Sequence, residues 1–238
     1  MLRTNLLSLA QKHGLAVIED AAEAIGQTYR NRPCGSFGHI SVFSFYPNKH
    51  VTTGEGGMIL TDDEELAEKC KSLRNLCFGS GPQRFVHEQL GWNYRMTNMQ
   101  AALGLSQLES LDQHLVKKRH LGSLYDNAFN EISELMLPVK ETPYAENLYW
   151  VYGVVLNDDR FSCSSEVTDA LAEKGIATRP FFWPMHEQPV FRKMDLFENI
   201  QHPIAENLAR RGFYLPSGLG LSDEQIIRAA DALKQIMT

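Results

Sequence analysis

The feature that most constrains the fold is an alternation of short apolar runs with helical segments along the first half of the chain. Apolar runs occupy residues 15–18, 40–45 and 58–60, and turn-forming or helix-capping residues separate them. A short apolar run between turn signals is typical of a strand inside a sheet, and we expect residues 15–18 to be buried on both faces. Because strands and helices alternate, the sequence predicts an α/β layered core.

Helix-start signals follow the strand candidates. Thr61 with Glu64 and Thr97 with Gln100 both have the spacing of a capping box. Leucines then recur at helical intervals from position 105 to position 115, which predicts one long helix bridging to a second domain.

The composition changes around residues 138–147, and the chain beyond reads as a small α+β domain. We therefore predict two domains, residues 1–113 and 114–238. A chain of 238 residues is long enough for each to bury a core.

Bulk properties exclude several classes of function. The net charge is −6 and no run of lysine or arginine occurs, so neither nucleic acid nor a membrane surface is an expected partner. The four cysteines form no CxxC pair and no metal-binding spacing with histidine, which predicts reduced thiols, a cytoplasmic location and no metal site. We find no signal-peptide pattern and no apolar run long enough to span a bilayer.

Three features lie where an α/β sheet binds its ligands, just beyond strand ends: Asp20, the pair Ser44 and Lys49, and the glycine-rich run 54–57. Each alone is weak, because such an aspartate is usually a cap, most lysines are solvated and glycines form turns. Together they supply an acid for a ring nitrogen, an amine for an imine and a hydroxyl for a phosphate. Pyridoxal 5'-phosphate (PLP) requires this set.

Four segments resemble the DegT/DnrJ/EryC1/StrS family of sugar aminotransferases, in that family's order and spacing. They are Val17-Ile18-Glu19-Asp20-Ala21-Ala22-Glu23-Ala24-Ile25-Gly26, Ser44-Phe45-Tyr46-Pro47-Asn48-Lys49 with Thr53-Gly54-Glu55-Gly56-Gly57, Leu90-Gly91-Trp92-Asn93-Tyr94-Arg95-Met96-Thr97 with residues 100–104, and, more weakly, residues 179–186. The resemblance implies a PLP-dependent transferase of fold type I, like aspartate aminotransferase. Residues 1–113 would be the C-terminal part of its PLP-binding large domain, and residues 114–238 its small domain.

The resemblance also implies roles for four residues of the first domain. Lys49 would be the catalytic lysine that holds PLP as a Schiff base and then moves the proton. Asp20 would pair with the pyridinium nitrogen, and Ser44 would bind the phosphate. Glu23 would lie near the ring hydroxyl or the substrate amine.

Two further residues are implied at the edges of the site. Asn93 would reach the phosphate of the cofactor in a neighbouring subunit, so a homodimer with a shared active site is expected. His186 would line the sugar-nucleotide pocket, with a purely structural loop histidine as an equal alternative. Arg95 has the same alternative, as an ion-pair partner that supports its loop.

The expected reaction is transamination, because a family variant that has histidine in place of the lysine dehydrates its substrate instead. The form of residues 22–26 is similar to that of GDP-perosamine synthases. This similarity implies transfer of an amino group from glutamate to a 4-keto-6-deoxy sugar nucleotide, in the biosynthesis of O-antigen and lipopolysaccharide sugars. Amination of a 3-keto sugar is an open alternative.

Family members are considerably longer, and the part they have in addition would precede Met1. It would supply the first strands of the large domain and a loop that cradles the phosphate, so we expect uncovered sheet edges and apolar faces here. Two alternatives stay open on this point. The chain is part of an active aminotransferase whose other half lies elsewhere, or it is a truncated, inactive homologue that acts at most as an interaction module.

Overall fold

The computed structural model describes residues 2–237, with side chains from Leu6 onward; Met1 and Thr238 lie outside the described residues. It is a mixed α/β structure, as predicted. The α-helices are α1 (Leu2–Lys12), α2 (Glu64–Arg74), α3 (Asn98–Glu109), α4 (Leu111–Phe129), α5 (Ser164–Glu173), α6 (Pro189–Arg192), α7 (Pro203–Arg211) and α8 (Asp223–Met237). The strands are β1 (Ile18–Asp20), β2 (Thr28–Tyr29), β3 (Arg32–Pro33), β4 (Ile40–Ser44), β5 (Gly57–Leu60), β6 (Leu135–Met136), β7 (Glu141–Thr142), β8 (Ala145–Glu146), β9 (Tyr152–Leu156), β10 (Arg179–Pro180) and β11 (Gly212–Leu215).

The chain divides into two compact units. The first contains Met1–Leu115 together with the hairpin Glu141–Glu146, and the second contains Val116–Lys140 and Asn147–Thr238. The passage from one unit to the other falls inside α4. The assignment of residues 1–113 and 114–238 to a PLP-binding domain and a small domain stays a prediction.

A three-stranded sheet in the order β1-β4-β5 organises the first unit. β1 runs parallel to β4, with Ile18 opposite Ile40 and Asp20 opposite Val42. β5 returns antiparallel to β4, with Ser44 opposite Gly57. Since paired residues of neighbouring strands point to the same face, this register decides which side chains share each side of the sheet.

The expected burial of the first strand is wrong. The strand is β1, Ile18–Asp20, rather than residues 15–18, and the side chain of Ile18 is 71% exposed. All four residues of β5 are exposed as well. The face of β1 that carries Ile18 is uncovered, whereas Glu19 on the opposite face is buried, because burial depends on which elements pack on each face of a strand and not on the apolar run alone. The uncovered apolar faces expected from the sequence are therefore present.

One of the two predicted capping boxes is wrong. Asp63, not Thr61, caps α2, because its Oδ1 accepts the backbone N–H of Leu66 at 3.0 Å. The Thr61 hydroxyl instead donates to the carbonyl oxygen of His39 at 2.7 Å. An aspartate at the position next to the helix outcompetes a threonine whose hydroxyl has a partner elsewhere.

The second capping box is confirmed, but the long helix is not. The side chain of Thr97 accepts the backbone N–H of Gln100, and the Gln100 side chain accepts that of Thr97. The helix that starts there ends at Glu109, and α4 begins at Leu111. Ser110 separates them, with its own N–H bonded back to the carbonyl oxygen of Gln107 at 3.1 Å. Serine hydrogen-bonds locally and favours helix ends over helix interiors.

The second unit is built on an antiparallel sheet in the order β10-β11-β9-β6. Apolar side chains of α4, α5 and α8 join those of β9 and β11 in one core. Its fully buried members include Tyr125, Phe129, Tyr152, Val154, Leu156, Val167, Leu171, Phe213, Ile226 and Leu233. The unit is an α+β structure, as expected for this part of the chain.

Among residues 2–237, the helices lack the combined length and apolarity that crossing a membrane requires.

Lys118 of α4 is a buried cation of the second unit. Its Nζ donates to the carbonyl oxygens of Trp150 at 2.8 Å and Ser217 at 2.6 Å. Burial lowers the pKa of Lys118 from 10.5 to about 8, because the charged amine loses its hydration. Between these two values the unfolded chain holds a proton that the folded chain does not hold.

This pKa shift predicts a pH dependence of stability. The free energy of unfolding of the wild type, relative to Lys118→Met, should rise as the pH increases from 8 to 10.5, by up to about 3 kcal/mol. Urea unfolding of both proteins below pH 8 and across that window measures the difference. A difference that stays constant with pH would show that Lys118 keeps an ordinary pKa.

Candidate active site

Two predicted site residues, Asp20 and Ser44, end neighbouring parallel strands. Asp20 is the last residue of β1 and Ser44 the last of β4. Because Asp20 pairs with Val42, two residues before Ser44, both side chains belong to the same face of the sheet. The Asp20 Oδ1 accepts the backbone N–H of Ala22 at 3.0 Å, which fixes the turn that leaves the strand. The structure thus brings an acid and a hydroxyl to one edge and one face of the sheet.

The neighbouring acid, Glu19, belongs to the opposite face and has a structural role. It is buried, and its two carboxylate oxygens accept the backbone N–H groups of Gly35 and Phe37, each at 2.8 Å. These bonds anchor the turn-rich segment that precedes β4. The alternation of side chains along a strand therefore separates the acidic pair into a buried anchor, Glu19, and an exposed carboxylate, Asp20.

Lys49 lies on the loop after β4 and reaches the segment after β1. Its Nζ donates to Oε1 of Glu23 at 3.2 Å. The Lys49 side chain is 9% exposed, whereas that of Glu23 is 49% exposed. The buried stem of the lysine thus presents its amine beside a partly solvated carboxylate, three residues beyond Asp20. The structure brings Lys49 and Glu23 together.

The loop that carries Lys49 returns to the strand from which it leaves. The backbone N–H of Thr53 donates to the carbonyl oxygen of Phe45 at 3.0 Å, and that of Phe45 donates to Gly56 at 2.9 Å. Gly56 has a φ of 151°, and a Cβ there would lie 2.5 Å from Thr53 Oγ1. The glycine-rich run 54–57, which by itself indicated only a flexible turn, therefore contains a position, Gly56, where close packing requires glycine.

Helix α3 packs against this loop at Gly104. A Cβ at Gly104 would lie 2.8 Å from Cγ2 of Thr53, so the helix and the loop are closer than an alanine allows. Gln100 and Gln107 of the same helix bond to loop backbone, Gln100 through its Nε2 to the carbonyl oxygen of Glu55 at 3.0 Å. We did not predict the two glutamines as site residues. The signal available was the helical spacing that places Gln100, Gly104 and Gln107 on one face.

This close packing predicts that Gly104→Ala destabilises the protein. A glycine-to-alanine change inside a helix usually stabilises by about 1 kcal/mol, but overpacking against Thr53 costs about 1–3 kcal/mol. We expect a net loss in the free energy of unfolding by urea denaturation. Ser106→Ala, at an exposed position of the same helix, is the matched control and should be neutral or stabilising. A stabilised Gly104→Ala protein would contradict the close contact.

Asn93 lies in the first unit and is exposed. Its backbone forms a β-bridge with Asn75, and its Oδ1 accepts the Nε–H of Arg95 at 3.0 Å. The side chains of Trp92 and Tyr94 on either side are stacked, with ring centroids 6.2 Å apart. Arg95 therefore supports the Asn93 side chain through a hydrogen bond to its amide oxygen, and the expected ion pair of Arg95 stays a prediction. The role of Asn93 toward a neighbouring subunit stays a prediction.

His186 lies in the second unit, where it is buried. Its Nε2 is 2.9 Å from Oε1 of Glu206, and the same oxygen accepts the backbone N–H of His202 at 2.7 Å. The hydrogen bond from His186 holds the pKa of Glu206 below its ordinary value. These contacts join the aromatic loop to the start of α7 and favour the structural interpretation. The predicted place of His186 in a sugar-nucleotide pocket stays a prediction.

The same histidine belongs to a group of side chains of the metal-ligand type. Ligand atoms of His186, Glu187 and Glu206 lie within 4.8 Å of one another. The guanidinium of Arg210 already donates to Oε1 of Glu187 at 2.7 Å, and this positive charge opposes the binding of a cation. The His186–Glu206 hydrogen bond and the Arg210–Glu187 ion pair account for the geometry of the group, and the expectation that the protein binds no metal stays a prediction.

Comparison with known proteins identifies the family. The model of the DegT/DnrJ/EryC1/StrS aminotransferase family matches residues 4–234. The chain belongs to this family. Among curated relatives, the GDP-perosamine synthases of Escherichia coli O157:H7 and Caulobacter vibrioides are 37% and 38% identical to it, over 97% and 98% of the chain. Among solved structures, Helicobacter pylori PseC, an aminotransferase involved in the biosynthesis of pseudoaminic acid, matches with a TM-score of 0.89 and 26% identity, over 99% of the chain.

The comparisons confirm the predicted family, fold class and cofactor, and they show that the chain is shorter than its relatives. The predicted family is correct, and so is the fold class, an α/β fold of the PLP-dependent transferases of fold type I. The family is one of PLP-dependent enzymes, which confirms the predicted cofactor at the level of the family. The chain spans 60% and 62% of the lengths of the two synthases and 63% of PseC.

Proposed function

We propose that the chain forms part of a PLP-dependent aminotransferase that moves an amino group from glutamate to a 4-keto-6-deoxy sugar nucleotide. The observation that carries this proposal is the Lys49 amine, 3.2 Å from Glu23 and beyond the same end of the sheet as Asp20. An amine, two acids and a hydroxyl at the carboxyl ends of two parallel strands are the groups this chemistry needs.

The chemistry of the donor set fits PLP. When bound, PLP supplies an electron sink that makes a carbon next to the amino nitrogen acidic. The exposed carboxylate of Asp20 would keep the ring nitrogen protonated. The Ser44 hydroxyl accepts the backbone N–H of Tyr46 at 3.3 Å, so its own hydrogen is left to donate to a phosphate oxygen.

Lys49 would attach the cofactor and then transfer the proton. Its Nζ would take a proton from the carbon that bears the amino group and return it to the carbon on the other side of that nitrogen, which is a 1,3 shift. Glu23 is placed to orient this amine, because its carboxylate is the hydrogen-bond acceptor for Nζ. The buried stem of Lys49 limits the motion of the amine to the region in front of Glu23.

The relatives support the proposed substrate. The named GDP-perosamine synthases support a GDP-linked 4-keto-6-deoxy sugar as acceptor, and the motif at residues 22–26 supports the same sugar. Glutamate would be the donor, and the product would enter O-antigen and lipopolysaccharide synthesis in the cytoplasm. Amination of a 3-keto sugar is the competing regiochemistry.

A homodimer with a shared active site is also part of the proposal. Asn93 lies in a segment whose aromatic and aliphatic side chains are exposed: Phe85 at 76%, Leu90 at 87% and Tyr94 at 74%. Apolar exposure on this scale around one polar side chain is typical of a surface that another protein covers. A second copy of the enzyme would place Asn93 near the phosphate of its partner's cofactor.

Labelling with PLP tests the central role of Lys49. We expect that incubation with PLP, borohydride reduction and peptide mapping of this chain will recover the phosphopyridoxyl group mainly on Lys49. In Lys49→Ala the label at this peptide should vanish. Lys71→Ala, which removes an exposed lysine of α2, is the matched control and should leave the Lys49 label unchanged.

The result separates the two alternatives left by the sequence. Label spread over exposed lysines with none on Lys49 would contradict the assignment and favour an inactive homologue. If Lys49 carries the label, the next step uses protein that has been incubated with PLP but not reduced. This protein is given glutamate and either a 4-keto or a 3-keto sugar nucleotide, and the sugar that gains an amino group is the acceptor. Amination of the 3-keto sugar alone would overturn the proposed regiochemistry.

A further inference from the structure

We infer that Gln107 is a positioning residue for Lys49, acting through the backbone of Thr52. The inference rests on the proposed role of Lys49, and it concerns how the loop that carries this lysine is held in place. A positioning residue acts on the geometry of a catalytic group without touching the substrate.

The carboxamide of Gln107 bonds both backbone groups of one loop residue. Its Oε1 accepts the N–H of Thr52 at 3.2 Å, and its Nε2 donates to the carbonyl oxygen of Thr52 at 2.7 Å. Because both bonds come from one planar carboxamide, they fix the orientation of the Thr52 backbone as well as its distance from α3. The side chain of Gln107 thus pairs with Thr52 as a neighbouring strand would.

This pair lies close to Lys49 along the chain and is connected to it by short contacts. The Thr52 hydroxyl donates to the carbonyl oxygen of Phe45 at 2.8 Å, so it ties the two ends of the lysine loop together. Directly after Lys49, the carbonyl oxygen of His50 lies 3.1 Å from Nδ1 of His114 on α4. His50, Val51 and Thr53 are all buried, which leaves the loop little freedom between these anchors.

The support for the loop is rigid. Helix α3 is fixed at its start by the capping box of Thr97 and Gln100. Because Gly104 has no side chain, the helix approaches the loop so closely that a Cβ there would lie 2.8 Å from Cγ2 of Thr53. Gln107 extends from the same face of this helix, one turn beyond Gly104. Its reach to Thr52 therefore depends on a helix and not on another loop.

A simpler interpretation is that Gln107 only satisfies buried backbone groups. That interpretation predicts a loss of stability when Gln107 is replaced, without a specific effect on Lys49. Positioning predicts in addition that the amine loses its place in front of Glu23 while the protein stays folded. The two interpretations differ in the reactivity of Lys49 relative to other lysines of the same molecule.

The test compares the wild type with Gln107→Met, which keeps the side-chain size and removes both hydrogen bonds. We expect the Thr52 amide to exchange with solvent deuterium about tenfold faster, the change that corresponds to losing one ordinary hydrogen bond. We also expect the ratio of phosphopyridoxyl label on Lys49 to label on exposed Lys71 to fall about tenfold. Far-UV circular dichroism should show an unchanged helix content.

Two controls separate positioning from general stability. Gln113→Met makes the same chemical change at an exposed position of α4 and should alter neither quantity. Thr97→Ala removes the cap of α3 and leaves both hydrogen bonds between Gln107 and Thr52 in place, and it should lower the label ratio much less than Gln107→Met does. An equal fall of the ratio in Thr97→Ala would assign the effect to helix stability and overturn the inference.

Failure of this inference is distinguishable from failure of the proposed function. Unchanged Thr52 exchange or an unchanged label ratio in Gln107→Met, with Lys49 labelled in the wild type, overturns positioning and leaves the role of Lys49 intact. Absence of label on Lys49 in the wild type overturns the proposed function and positioning together, whatever the exchange of the Thr52 amide.

Discussion

The parallel pairing of β1 with β4 is the interaction on which the candidate site depends. It places Asp20 opposite Val42, and because side chains alternate along a strand, it puts Asp20 and Ser44 on one face at the same end of the sheet. A shift of one residue in this register would exchange the exposed carboxylate of Asp20 for that of Glu19. The two N–H bonds that Glu19 accepts on the other face oppose such a shift, so a buried structural acid maintains the orientation of Asp20, the proposed cofactor-binding acid.

The lysine loop adds a second requirement, which is the rigidity of a segment without regular secondary structure. The loop is held by bonds from its own ends and by side chains of α3 and α4, rather than by a strand ladder. The carboxamide of Gln107 thus bonds the backbone of the loop, as neighbouring strands bond the backbone of β4. A small movement of the loop would break the contact between Lys49 and Glu23, so the hydrogen bonds of Gln107 to Thr52 bear on the position of this amine.

The sequence predicted those parts of the site that depend on local order, and missed those that depend on tertiary contacts. Asp20 and Ser44 could be proposed because each lies at the end of a strand candidate, and Lys49 because it lies in the loop after the second of these strands. The burial of β1 was wrong, since burial depends on which elements cover a strand, and a run of apolar residues does not state that. Gln107 contacts a residue 55 positions earlier, and its helical spacing with Gln100 and Gly104 marks a common face without identifying Thr52 as the partner. The cap at Asp63 was missed because Thr61 had the right spacing, while its hydroxyl bonds to His39 in the folded protein.

The most direct measurement of the central claim is a crystal structure of the chain after PLP has been reduced onto it with borohydride. The proposed convergence of amine and acid predicts continuous density from the Nζ of Lys49 to the cofactor, with the ring nitrogen within hydrogen-bonding distance of the Asp20 carboxylate and the phosphate beside Ser44. A cofactor attached to Lys49 whose ring nitrogen points away from Asp20, or one attached to a different lysine, would contradict it.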